Sequence, residues 1–509
     1  MAWMNRREFL RNTGLAAIAG TVVGRGPVTQ PSAGATAPTS PAKADPRPNI
    51  LFAIGDDWGW PHAPAYGDKV VKTPAFDRLC REGVAFNQAY CAAPTCSASR
   101  ASILTGQMFY RLEEGANLWS TLPMKFQTYT GMLEAAGYVV GLKGKGWGPG
   151  DFKAGGYQRN PTGPGFKSFE EFLRTVPDGK PFCFWFGSAD PHRSYEKGSG
   201  LSTGKKLQDV QLPPFLPDSP EVREDILDYY FEVERFDRDV GDMVALLEKA
   251  GRLDNTIVVM TGDNGMPFPR GKTNLYGYGT HQPLAVRWAA KVKGGRAVDD
   301  FISFTDFAPT FLEAAGLKGG ADMTGRSFLD ILTSGKAGLP AAVGQAGLVD
   351  AKRGRVFVGR ERHHGGARPG CLGYPMRAVR THEHLYIRNF KPDRWPAGDP
   401  EGYADIDGGP TKAWMMAHRD DPKVKPLFKL AFEKRPAEEL YDLKKDPGEL
   451  TNVADDPQYA EARRKLADEL MKYLTDTADP RALGKGDEFD EYPYRGQNTP
   501  VREPTTKKA

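Results

Sequence analysis

Short apolar runs, each closed by a polar or glycine-rich turn, recur along the first half of the chain; residues 49–54, 181–186 and 256–261 are the clearest. Their length, with few polar positions inside, predicts strands buried on both faces, which is the habit of parallel sheets. Val84, Phe86 and Tyr90 mark another apolar stretch, and residues 138–141 read as a short strand after a helix at 132–136. Elsewhere the period becomes helical. Ile226, Tyr230, Val233, Phe236, Val240, Val244 and Leu247 recur every three or four positions and predict one long helix over about 221–250. Thr73-Pro74 opens an amphipathic helix ending near Gly83, and residues 303–315 read as a further helix. Strands alternating with helices predict an α/β domain, a mostly parallel sheet with helices on both faces.

From about residue 339 the character changes. Residues 374–380 and 383–387 read as antiparallel strands, 439–443 as another, and 459–474 as a closing amphipathic helix. The expectation is a main domain at 49–370 and a smaller C-terminal α+β subdomain with an antiparallel sheet at 371–480. Residues 481–509 are charged and rich in Pro and Gly, and are expected to form a flexible tail. At the other end, Asn5-Arg6-Arg7-Glu8-Phe9-Leu10 precedes a short apolar run at 14–24, the layout of a twin-arginine export signal. Residues 1–48 are therefore expected to be signal peptide and linker. The twin-arginine machinery is then a partner, and the protein is periplasmic or secreted in a bacterium. The apolar run is too short for stable membrane insertion.

The chain has 509 residues and a net charge of only +4, so nothing in its charge suggests nucleic acid or a polybasic membrane contact. Its five cysteines (Cys80, Cys91, Cys96, Cys183, Cys371) are odd in number and lack paired spacing, which excludes a disulfide scaffold or zinc-finger array.

Chemistry gathers at a few turns. Residues 96–106 read Cys-Ser-Ala-Ser-Arg-Ala-Ser-Ile-Leu-Thr-Gly, a helix start with Arg100 on the same face as Cys96. A sulfur nucleophile, a fixed cation and the free amides of a first turn would suit an anion; a buried Cys in a small-residue helix fits the same spacing. Asp56-Asp57 follows the first strand, where α/β sheets place ligands, and the mutual repulsion of two carboxylates would be relieved by a cation. Asp263-Asn264 is a second strand-end oxygen pair. Four hard oxygen donors without a Cys/His cluster favour calcium, with magnesium as the alternative. His192, in Ser188-Ala189-Asp190-Pro191-His192-Arg193, sits at a third strand end, either as a proton donor near neutral pH or as a satisfied polar group. Arg362-His363-His364-Gly365-Gly366 is a polar loop that either lines a pocket or stays on the surface.

The segment Cys96-Ser97-Ala98-Ser99-Arg100 with the Ala-Ser-Ile-Leu-Thr-Gly after it resembles the signature of the type I sulfatases. Residues 73–79 and 324–329 match further landmarks of that family, and residues 188–193 and 266–276 resemble its sulfamidase branch. The resemblance spans roughly 48–474 and implies an alkaline-phosphatase-like domain. It implies that Cys96 is oxidised to formylglycine by a maturation enzyme, and that Asp56, Asp57, Asp263, Asn264 and the modified Cys96 surround one cation. Cys96, Arg100, Lys145, His192 and Lys272 would be catalytic, and Arg193, His363 and His364 would contact substrate. The sequence departs from the family at Trp147, where the Gly-Lys-x-His pattern has a His that usually holds or deprotonates the formylglycine hydrate. The implied activity is hydrolysis of sulfate esters or N-sulfate groups on sulfated mono-, oligo- or polysaccharides. Two alternatives stay open: a phosphonate or phosphodiester hydrolase of the same superfamily, and a non-catalytic glycan-binding homologue.

Overall fold

The computed structural model describes residues 45–335 and 347–496. The expected export signal at the N-terminus therefore lies outside the described residues. Seven strands form the main sheet: β1 (Asn49–Gly55), β2 (Val84–Phe86), β3 (Val139–Gly144), β4 (Phe182–Gly187), β5 (Thr256–Gly262), β6 (Leu284–Arg287) and β7 (Arg296–Val298). Their spatial order is β3-β4-β1-β5-β6-β2-β7. The first four are mutually parallel, β6 alone runs against its neighbours, and β7 is parallel to β2.

The continuous apolar character of β1 is explained by what covers it. Leu51 and Ala53 enter one core with Val222, Ile226, Val233 and Phe236, while Ile50, Phe52 and Ile54 enter another with Phe307 and Phe311. The first core is closed by the long amphipathic helix α3 (Pro220–Lys249), which starts on Ser219, whose side chain accepts from the Val222 N–H. Among the shorter helices that precede it are α1 (Pro74–Glu82) and α2 (Cys96–Thr105). Complete burial of aliphatic and aromatic side chains at about 1.5–3 kcal/mol each makes these two faces the main source of stability.

Register brings the chemistry to one edge. Gly55 lies opposite Gly262, Ile54 opposite Gly187, and Gly187 opposite Gly144. The turns beginning at Asp56, Lys145, Ser188 and Asp263 therefore leave the sheet at the same level. A Cβ at Gly187 would collide with the Lys145 carbonyl oxygen, and one at Gly262 with that of Trp58. Only glycine lets these turns approach so closely.

The C-terminal part is a four-stranded antiparallel sheet in sequence order: β8 (Arg355–Arg360), β9 (Met376–Thr381), β10 (His384–Asn389) and β11 (Glu438–Asp442). One face packs Val379, Tyr386 and Leu440 on Leu466, Leu470 and Leu474 of helix α4 (Ala460–Asp476). The other packs Val358, Ala378 and Ile387 on Leu275 and Tyr276. The sheet begins at Arg355, before the residue-371 start expected for the C-terminal subdomain. Residues 481–496 also differ from the expected flexible tail. Phe489 is buried, and Arg481 pairs with Glu361, which also holds Arg377. Two buried charges of this segment are spent on the protein, Arg481 on Glu361 and Asp490 on Arg394 and the Gly373 N–H, while Lys485, Asp487 and Glu491 face solvent. Among the described residues no helix is long and apolar enough to cross a membrane.

Gly187→Ala should destabilise the protein by about 1–3 kcal/mol, since a buried methyl against a backbone carbonyl forces the Lys145 turn to move. Chemical denaturation checks this; an unchanged midpoint would contradict the close packing of the two turns.

Candidate active site

Three buried carboxylates and Cys96 meet at the strand-end edge. One ligand atom from each of Asp56, Asp57, Cys96 and Asp263 lies within 4.8 Å of the others. Asp57 has a left-handed backbone (φ 73°), held by its N–H donating to Asp263 Oδ1 at 2.9 Å. Asn264 donates through Nδ2 to Asp57 Oδ1 at 2.7 Å, which leaves its buried Oδ1 without a hydrogen-bond partner. Cys96 begins α2, with Sγ 3.4 Å from Asp56 Oδ1. The small side chains of α2 let it bury completely, and Ser99 ties it to the β5 turn by donating to the Asp263 carbonyl at 2.6 Å.

Three cations face these acids. Arg100 is fully buried, with Nε 2.8 Å from Asp263 Oδ2 and Nη1 donating to the carbonyls of Lys145 and Gly146 at 2.7 and 3.0 Å. Its Nη2 lies 3.8 Å from Asp56 and has no hydrogen-bond partner. Lys145 Nζ reaches both Asp56 oxygens, at 2.8 and 2.6 Å. Lys272 Nζ sits between Asp57 (2.9 Å) and Asp407 (3.0 Å).

The ionisation balance is uneven. Burial alone would raise Asp56, but Lys145, His192 and Arg100 together hold it well below the usual carboxylate range. For Asp57 burial prevails over Lys272 and His192, and its carboxyl is raised. Burial also pushes the Cys96 thiol far up, so an unmodified Cys96 is a poor nucleophile here. A divalent cation among Asp56, Asp57 and Asp263 would favour full ionisation of Asp57 and give the free Asn264 oxygen a partner. The all-oxygen donor set fits calcium or magnesium.

The remaining expected residues divide. His192 stands at the site, with Nδ1 2.6 Å from the Arg193 carbonyl and Nε2 3.8 Å from Asp57 Oδ2. Arg193 corrects the sequence reading. Its guanidinium is bidentate on Asp225 (2.7 and 2.8 Å), its Nε donates to the Pro267 carbonyl, and it stacks on Tyr195 and Phe268. It holds the loop instead of a substrate. Asp225 also accepts from the Thr411 N–H and hydroxyl, so it binds the loop that carries Asp407. His363 is buried beside the start of α2, with Nδ1 2.7 Å from Thr95 Oγ1. His364 turns elsewhere: its N–H donates to Asp405, its ring accepts from the Gly366 N–H, and it packs near Tyr494. Trp147 is buried in the apolar cluster of Leu122, Val140 and Leu142, its backbone clamped by Asn160.

Sequence reasoning missed Asp407. The available signal was Asp405-Ile406-Asp407-Gly408-Gly409, an acid-glycine turn like those after β1 and β5.

The family profile described as Sulfatase matches residues 48–317. The chain is 30% identical over 482 residues to human N-sulphoglucosamine sulphohydrolase, covering 86% of this chain and 92% of that protein. It is 28% identical over 506 residues to an ulvan-active sulfatase of Formosa agariphila, covering 90% and 79% respectively. A solved protein in complex with its substrate D-glucosamine-2-N,6-O-disulfate shares the fold with a TM-score of 0.62 at 20% identity, over 85% of this chain and 98% of that one. The chain belongs to the sulfatase family, with the alkaline-phosphatase-like fold of that class, and is a hydrolase acting on sulfate esters or N-sulfate groups.

Two outcomes follow from the charges. Calcium should raise the melting temperature, by an amount equivalent to about 2.7 kcal/mol at a hundredfold excess over Kd, and Asp57→Asn should remove most of that shift; an equal shift in the variant would place the ion elsewhere. His363, pushed down to about 3 by burial with help from Lys272, stays neutral when folded, whereas its free imidazole takes a proton near 6.5. Its contribution to stability is complete above pH 6.5 and is lost as pH falls toward 3. His363→Asn should therefore flatten the fall in melting temperature between pH 6.5 and 4, and an unchanged slope would refute this.

Proposed function

We propose that this protein hydrolyses sulfate esters or N-sulfates of sulfated saccharides, with Cys96 matured to formylglycine and one divalent cation, calcium foremost, held by Asp56, Asp57, Asp263 and Asn264. The observation that carries the reading is the convergence of Arg100, Lys145 and Lys272 with three carboxylates on the buried start of the Cys96 helix. Formylglycine supplies an oxygen nucleophile that the buried thiol does not, and the cation supplies the Lewis acidity that activates it. The rest is the work of this chain's own side chains. Arg100, Lys145 and Lys272 bind the sulfuryl oxygens, and each such fixed charge in a closed site contributes about 3 kcal/mol to lowering the barrier. His192, partly open to solvent and at the same edge, donates a proton to the departing atom. Saccharide substrates are supported by the relatives, whose names include N-sulphoglucosamine and ulvan.

Trp147 lies in the core, so the position occupied by a His in the family pattern contributes no imidazole to the site. Export by the twin-arginine route to the periplasm or beyond belongs to the same proposal, supported by Arg6-Arg7 ahead of the apolar run.

The test is sulfate release from glucosamine N-sulfate, glucosamine 6-sulfate and sulfated rhamnose or fucose, alongside paired phosphate and phosphonate esters. The protein should come from cells that carry the maturation enzyme. Release of sulfate from at least one sugar, faster than phosphoryl release, is expected; faster phosphoryl transfer would overturn the reading. Arg100 braces Asp263 and two carbonyls, so its removal would also disturb folding, and Lys145 is the cleaner probe. Lys145→Ala should lower kcat on the order of 100- to 1000-fold with the fold intact.

A further inference from the structure

Three polar side chains of the site reach solvent: Lys145 (22% exposed), His192 (36%) and Asp407 (23%). Arg100, Lys272 and the three strand-end carboxylates are buried. A sulfate held against the buried cations must therefore have the rest of its molecule leave through the opening that these three line. One ligand atom each from His192, Asp407 and Asp57 lie within 4.8 Å of one another, so Asp407 stands beside the group that protonates the departing atom.

Lys145 and His192 suit an anionic substrate; Asp407 does not. A carboxylate at the mouth of an anion site repels every sulfated ligand. It is held as a carboxylate by its ion pair with Lys272, whose Nζ lies 3.0 Å from Oδ2. Lys272 covers Oδ2, which is buried, so the exposure of the side chain lies on the remainder, which includes Oδ1. The loop is fixed in place, since Thr411 is bound to Asp225. A negative charge fixed at that point makes chemical sense where the departing group becomes positive.

We propose that Asp407 faces the leaving atom and biases this site toward hydrolysis of N-sulfates (sulfamates) over O-sulfates. The inference rests on the sulfatase reading above and names the bond cleaved. With one water, R–NH–SO3⁻ gives R–NH3⁺ and SO4²⁻: the water oxygen goes to sulfur, the S–N bonding pair stays on nitrogen, and both water protons end there. With one water, R–O–SO3⁻ gives R–OH, SO4²⁻ and a free proton: the S–O pair stays on oxygen, which is anionic until protonated. Asp407 stabilises the nascent ammonium and opposes the nascent alkoxide. Opposite charges brought together in a partly buried site favour the first outcome.

The experiment compares wild type, Asp407→Asn and Asp407→Glu on glucosamine N-sulfate and glucosamine 6-sulfate, using matured protein with calcium present. Wild type should prefer the N-sulfate. Asp407→Asn should lower kcat on the N-sulfate on the order of 100-fold, while kcat on the 6-sulfate holds or rises, and Asp407→Glu should restore part of the preference. Melting temperatures of both variants within a few degrees of wild type are the control for folding. Equal losses on both substrates would show that Asp407 only positions Lys272, and would overturn the proposal. So would wild-type cleavage of the 6-sulfate without the N-sulfate, which leaves the sulfatase reading standing. Release from neither substrate, nor from the other sulfated sugars, would sink the sulfatase reading itself and this inference with it.

Discussion

Placing three carboxyl groups side by side in a protein interior is the constraint on which this structure turns. An isolated buried carboxylate costs several kcal/mol, and two in contact cost more. Asp56, Asp57 and Asp263 are tolerated because Arg100, Lys145 and Lys272 stand within ion-pair distance. The neighbouring sequence follows from that requirement. Glycines close the strands so that the turns can meet, serines and alanines fill α2 so that Arg100 reaches inward, and Asp57 adopts a left-handed backbone. The same cations that offset the acids are those an incoming sulfate needs. A divalent ion and a sulfate would therefore rearrange existing pairs and not create new ones, which keeps reorganisation small.

Much of this was legible in the sequence because the responsible signals are local. Strands buried on both faces read as apolar runs, and the oxygen donors follow them directly, so Asp56, Asp57, Asp263 and Asn264 could be placed together before any coordinates. The long helix announced itself by period. Arg193 could not be read, since an arginine looks the same whether it meets a substrate or a carboxylate such as Asp225, which is distant in sequence. The strand at Arg355–Arg360 was missed for a related reason: its flanking arginines suggest solvent, but Arg360 is buried on Asp405. Asp407 escaped because its partners come from the other end of the chain, where only topology brings them near. The supposed tail is held by Arg481 and Phe489, contacts invisible to composition.

Trp147 shows how a site can depart from its family without losing its frame. The indole fills core space, and Asn160 holds its backbone. What changed is a proton-handling group, while the charge framework around Cys96 is complete.

Asp225 lies on the long helix, away from the reacting centre, and grips Arg193 on one loop and Thr411 on another. The His192 and Asp407 loops thus hang from a single post. Exchanging the His192 loop without residue 225 would leave a buried charge unpaired, and exchanging the Asp407 loop would remove two hydrogen bonds from that carboxylate, so the two loops and residue 225 form a three-part set.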